Sequence, residues 1–259
     1  MSDTPITRWA TALGQWGIPQ EILDQAPQSP WIHPVSSFRP SGDLYVSTPS
    51  RWRALEALPD GGSVLDVGCG GGRGAFGLVP PAELVIGVDH QSEMLSVFRE
   101  EAHERNVKCE TVEGDWPYVA AYTPSCDVVI CHHVYYNVSD IEPFARELHS
   151  HAHHRVVVEL PLHHPLSSLS PLWKHFWDLD RPTAPTAHDA LEAMLHIGFS
   201  AHLELFETPA IAVEITPELV EHTRIRLCLT SDRDDEIADV LSQQIAQPRQ
   251  LATLWWDTK

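Results

Sequence analysis

VLDVGCGGGRG, residues 64–74, is the stretch whose reading decides the fold. A short apolar run passes straight into five glycines, Gly68, Gly70, Gly71, Gly72 and Gly74. Glycine lets the backbone take positive φ and lets another group approach the main chain closely. A plain turn needs one or two glycines. A glycine loop at the carboxyl end of a strand is placed where open parallel sheets bind ligands.

Outward from this stretch, strands and helices alternate. LVIGVD (84–89), VKCETVEGD (107–115), CDVVICH (126–132), RVVVEL (155–160) and FSAHLELFE (199–207) read as further strands. Residues 91–104 form a helix with Met94, Leu95, Phe98 and Ala102 on one face. Ser139 and Glu142 have capping-box spacing ahead of Ile141, Phe144 and Leu148. Thr186 and Asp189 open a helix that stops at Gly198. Such alternation with near-continuous apolar strands predicts a doubly wound, mostly parallel α/β sheet with helices on both faces.

The flanks read differently. The first 48 residues, rich in Trp and Pro, suggest short helices at about 4–16 and 19–25 and then an irregular stretch. Thr48-Pro49-Ser50 opens a helix running through Leu58. Residues 217–229 fit a helix or an alternating strand, 231–246 a helix, and QLATLWW (250–256) a closing strand. The N-terminal segment, 161–185 and the insertion at about 208–247 are expected to cap the ligand end, or to supply aromatics to a homodimer interface.

Elimination narrows the ligand. A dinucleotide fingerprint started at Gly68 fails at Arg73, and started at Gly70 it passes only in the relaxed form ending at Ala75. A phosphate loop would need Gly-Lys-Ser/Thr, and no Lys is near. Asp66 would repel a pyrophosphate but suits a ligand carrying positive charge.

VLDVGCGGG resembles the first motif of the class I S-adenosylmethionine (SAM)-dependent methyltransferases. The resemblance implies a seven-stranded Rossmann-like sheet with SAM as cofactor. It implies Asp66 and the glycine backbone (Gly68, Cys69, Gly70) at the methionine end of the cofactor. It places Asp89, with His90 beside it, at the ribose, and Asp115 and Trp116 near the adenine. His132, in CDVVICHHVYYNV, would lie along the methionyl part. Residues 1–48 are then a cap segment and 49–259 the SAM-binding domain. A SAM-binding regulatory or assembly protein, or another SAM-derived group transfer, shares the same loop.

Transfer to an alcohol or phenol also needs a proton acceptor, for which histidine is suited. His132 and His133 end the fourth strand and His163 follows the fifth, so these, with Tyr135 and Tyr136, are the candidates for base or substrate contact. His132 is expected nearest the reaction, with His133 turned the opposite way by extended geometry. The His149–His154 cluster suits a solvated helix end better than a metal site, so no metal is expected.

The formal net charge of −19 argues against nucleic acid and anionic membranes as partners and for a small-molecule substrate. The 16 histidines make that acidity dependent on pH. Five cysteines without a CxxC pair, no basic-apolar leader after Met1 and no span of about 20 apolar residues predict a cytoplasmic protein with free thiols.

Overall fold

A computed structural model of the chain describes residues 3–31, 44–210 and 214–259. Much of the irregular stretch expected before Thr48, and part of the insertion at about 208–247, lie outside these residues.

The strands are β1 (Ser63–Val67), β2 (Leu84–Asp89), β3 (Lys108–Glu113), β4 (Cys126–His132), β5 (Ala152–Pro161), β6 (His202–Thr208) and β7 (Arg249–Asp257). The helices are α1 (Pro5–Gly14), α2 (Gln20–Leu23), α3 (Pro49–Ala57), α4 (Arg73–Phe76), α5 (Ser92–Glu104), α6 (Ile141–His151), α7 (Ser170–Trp177), α8 (Ala187–Ile197), α9 (Pro217–Arg226) and α10 (Asp234–Ser242).

The strands form one seven-stranded sheet in the order β3-β2-β1-β4-β5-β7-β6. β1 pairs in parallel with β2 and with β4, so the order reverses at β1. The crevice at such a reversal is the ligand position of a doubly wound sheet. Only β7 runs against its neighbours β5 and β6.

The apolar runs are near-continuous because both faces are covered. Leu65, Val67, Ile86, Val88 and Val158 pack under α1, α6 and α8, in a core that includes Trp9. Val64, Val85, Val128 and Ile130 pack under α3 and α5. The intended cap segments make a third cluster: Ile18 and Ile22, Leu172 and Trp173 of α7, Val220 of α9 and Ile237 of α10. The N-terminal segment is therefore divided. Trp9 of α1 sits in the main core, donating its indole N–H to the Val138 carbonyl at 2.8 Å, whereas α2 belongs to the third cluster.

Helix boundaries follow their caps. Thr48 accepts the Arg51 amide at 3.2 Å, and Thr186 with Asp189 forms the expected capping box ahead of α8. The box expected from Ser139 and Glu142 does not form. Asp140 occupies the cap without a side-chain bond, and the Glu142 carboxylate is held by Arg146 one turn on, at 2.7 Å. Of residues 217–229, the first ten resolve as helix, α9, and beyond it Cys228 turns to positive φ. α10 is shorter than the 231–246 expected, and α7 went unforeseen.

His149 and His151 close the last turn of α6, the helix end expected for them, but half-buried rather than fully solvated. His149 stacks on Phe199 at 4.8 Å and receives the Trp256 indole N–H at 3.2 Å. His151 lies 3.0 Å from the Ala120 carbonyl, and His153 and His154 are already in β5.

Candidate active site

The glycine loop leaves β1 with Gly68 at φ 72°, Gly70 at 50° and Gly72 at 88°. These are left-handed conformations that glycine adopts without strain. A Cβ on Gly68 would lie 2.4 Å from Cγ2 of Val134, so the segment after β4 closes directly on the loop. A Cβ on Gly74 would lie 2.9 Å from His132 Nδ1 and 3.4 Å from Asp66 Oδ2.

Two carboxylates fix this loop. Asp66 accepts the Ala75 amide at 3.2 Å from beneath. It is buried, and that burial, reinforced by nearby Asp89 and opposed by the Ala75 bond, raises its pKa to about 7. Asp89 accepts the Gly70 amide at 2.9 Å and the Gln91 amide at 3.0 Å. Gly68 and Cys69 donate to the Val88 carbonyl at 2.8 and 3.0 Å. The Cys69 side chain packs inward, where burial raises its thiol pKa well above the ordinary value.

His90 and Asp115 stand at the rim, their nearest atoms 4.0 Å apart. Trp116 does not offer a stacking face. Its indole N–H is satisfied by the Phe144 carbonyl at 3.2 Å, and its ring meets His151 edge-on inside the core.

At the end of β4 the two histidines face opposite partners, as expected, but not through continued extended geometry. His132 lies against Gly74, its Nε2 buried without a hydrogen-bond partner, and burial lowers its pKa. His133 takes φ 61°, which ends the extended geometry and swings its ring toward Glu159. The His133 Nε2 lies 3.2 Å from Glu159 Oε1, and the histidine side chain is 42% exposed. Burial would raise the pKa of Glu159. The His133 bond, the charges of His132 and His133 and a Ser50 bond outweigh that and bring it to about 2.

Tyr135 is not a site residue: it is fully buried, with its ring edge-on to Phe144 and its hydroxyl on the Met194 sulfur. Tyr136 donates to the Pro161 carbonyl at 2.9 Å, tying the end of β4 to that of β5. His163 is exposed and bridges to Thr186. Its neighbour His164 is the buried one, stacked on Trp16 at 4.0 Å, and burial with nearby Arg181 lowers its pKa to about 4.

Glu159 was overlooked in the sequence. A carboxylate closing the apolar run RVVVEL marks it, and the register that pairs it with His132 makes the connection. Among the described residues, no group of three or more His, Cys, Asp or Glu is arranged to hold a metal ion. No helix among them is long and apolar enough to cross a membrane.

The arrangement brings the Asp89 carboxylate onto the glycine loop after β1 and, at the end of β4, an imidazole held by Glu159. Residues 64–154 match the family described as "Methyltransferase domain". A ubiquinone biosynthesis O-methyltransferase of Thiobacillus denitrificans is 35% identical over 114 residues, 42% of this chain. The match spans about half of that relative's length, 47%. In fold, the chain is similar to a protein of Bacillus halodurans C-125 (TM-score 0.56, 16% identity, 84% of this chain and 99% of that one). It is also similar to the magnesium protoporphyrin IX methyltransferase of Synechocystis PCC 6803 (TM-score 0.51, 17% identity, 79% of each chain).

Proposed function

We propose that this chain, whose residues 64–154 match a methyltransferase domain and whose fold is that of class I SAM-dependent methyltransferases, is an enzyme that transfers the methyl group of SAM to an oxygen or nitrogen of a small molecule. The observation that carries this reading is Asp89 at the end of β2, joined to the glycine loop through Gly70. Each Asp89 oxygen already accepts one amide and keeps further acceptor capacity. That capacity suits the two ribose hydroxyls of SAM. The loop from Gly68 to Gly72, with its positive-φ glycines, allows close approach to the backbone. Asp66 acts from below, by holding the loop at Ala75.

When bound, SAM supplies an electrophilic methyl carbon on a sulfonium and leaves as S-adenosylhomocysteine (SAH). The protein must align the acceptor, exclude water and take up the acceptor's proton. His133 suits the last task better than His132, because it is accessible and its ring is oriented by Glu159. With Glu159 held ionised, Nε2 of His133 carries the proton toward the carboxylate and leaves Nδ1 free to accept one. His132 Nε2 is a buried atom aimed into the loop region without a partner, which fits a polar contact to the cofactor.

The −19 charge supports a small-molecule acceptor over nucleic acid, and the cap cluster of α2, α7, α9 and α10 is suited to enclosing it. The test is a screen of small phenols, alcohols and amines with methyl-labelled SAM. Label should enter one acceptor class with equimolar SAH. SAH release absent from every class, by a folded protein that binds SAM, would favour a regulatory SAM-binding role.

A further inference from the structure

Ser50, near the start of α3, and Thr253, in β7, are fully buried, and their hydroxyl oxygens lie 2.6 Å apart. The core on this face of the sheet is otherwise apolar, with Val128, Ile130 and Val157 fully buried. Alanine and valine would pack there without the cost of desolvating a hydroxyl. Strand register places the pair. His132 of β4 is opposite Glu159 of β5, Glu159 is opposite Thr253 of β7, and Thr253 is opposite Glu204 of β6. Residues directly opposite share a face, so these four form one polar row across four strands. α3 grips that row twice, through the Ser50 hydroxyl and through Arg53, which meets Glu204 at 3.0 Å.

The donor inventory fixes the direction of each hydrogen bond. An ionised carboxylate only accepts. Glu159 therefore receives His133 Nε2, at 3.2 Å, and the Ser50 hydroxyl. Ser50 has one hydroxyl proton and gives it to Glu159, so in the 2.6 Å pair Thr253 is the donor and Ser50 the acceptor. Thr253, Ser50 and Glu159 thus form a chain of single polarity that ends at the imidazole. The Ser50 bond joins His133 and His132 in keeping this buried carboxylate ionised.

We propose that Ser50 and Thr253 are positioning residues for His133: their hydroxyls fix the Glu159 carboxylate, which holds the imidazole proton on Nε2 and leaves Nδ1 open toward the methyl acceptor. The proposal rests on the methyl-transfer reading for the use of that imidazole, but its first test needs neither SAM nor an acceptor. NMR of the full chain, with isotope-labelled histidine and glutamate, reads the tautomer of neutral His133 and the titration of the Glu159 carboxyl. The wild type should carry the His133 proton on Nε2, and Glu159 should stay a carboxylate as pH falls through the ordinary value of 4.5. Ser50→Ala and Thr253→Val should each lower the Nε2–H population and move the Glu159 titration up from about 2 toward 4.5. Thr253→Ser keeps the hydroxyl and should behave as the wild type. The His149 signal, whose Nδ1 accepts the Trp256 indole of β7, should stay in place throughout and so report an undisturbed β7.

A wild type with the His133 proton on Nδ1, or with Glu159 titrating at 4.5, overturns the proposal without any variant. So does a tautomer and titration unchanged in both Ser50→Ala and Thr253→Val, or a Thr253→Ser variant that shifts as far as Thr253→Val. With a methyl acceptor in hand, Ser50→Ala should lower kcat by about threefold to tenfold and leave the KM for SAM unchanged. A loss confined to KM also overturns the proposal. The expected tautomer shifts in a protein that transfers no methyl group keep the positioning of His133 and remove the methyl-transfer reading instead.

Discussion

The Nε2 atom of His133 lies 3.2 Å from Oε1 of Glu159, and the His133 amide donates to the Glu159 carbonyl at 2.7 Å. Backbone and side chain of one strand end thus hold an accessible imidazole on the next. If His133 takes the acceptor's proton, His133→Ala should lower kcat by roughly 10²–10⁴-fold with SAH affinity nearly intact. His132→Ala should instead raise the SAM dissociation constant and leave the pH profile unchanged. Steady-state rates and SAH calorimetry on both variants check the assignment. A His133→Ala enzyme with normal turnover would remove His133 from the reaction.

Glu159 is the positioning residue of this pair, ionised across the working pH range because its pKa is held to about 2. Glu159→Gln replaces a charged acceptor with a neutral one. The imidazole loses its charged anchor, so kcat should fall about tenfold with SAH affinity unchanged. An unchanged kcat would show that Glu159 serves only the fold.

Asp66 predicts an opposite kind of pH effect, on stability. Its pKa is raised from 3.8 to about 7, so between those values the native state holds a proton that the unfolded chain has released. Its contribution is therefore favourable at low pH and is lost as pH rises from about 4 through 7, by roughly a few kcal/mol. Asp66→Asn should flatten that decline. The native pKa of His164, about 4, works the other way, removing stability as pH falls from 6.5. Comparing the variant with the wild type at each pH isolates Asp66. Parallel stability curves would contradict the assigned shift.

Gly68→Ala meets two obstacles, a φ of 72° and a contact of 2.4 Å with Val134. It should destabilise the fold by about 1–3 kcal/mol and abolish measurable SAH binding. Adding Val134→Ala shortens the obstructing side chain but not the backbone strain, so the double variant should recover only part of the stability. Denaturant unfolding and calorimetry read both effects. Full recovery would mean that φ at this position is unconstrained.

Most of the framework was legible because the central strands are apolar runs ended by glycine or a polar residue. LVIGVD and CDVVICH coincide with β2 and β4, and Thr186 with Asp189 marks the start of α8. The loop carboxylates were equally visible, because Asp66 and Asp89 sit at fixed places relative to the glycines. What could not be read was which way a side chain turns once a strand ends. The positive φ of His133 turns its ring to Glu159, a contact that continued extended geometry would not give. Tyr135 follows them in sequence but is drawn into the core by Phe144 and Met194. Glu159 acquires its meaning only from the register of β4 with β5. The capping box at Ser139 failed because a nearer cation, Arg146, holds Glu142.

The central claim, that the loop of β1 and the carboxylate of β2 together form a SAM site, is tested most directly by calorimetric titration of the full chain with SAH, wild type against Asp89→Ala. Charge-assisted hydrogen bonds are worth about 1.5–3 kcal/mol each. The prediction is one SAH per wild-type chain and an affinity loss of roughly 10–150-fold in the variant, with the variant still folded. A wild type that takes up no SAH, or a folded variant that binds SAH as tightly as the wild type, would contradict it.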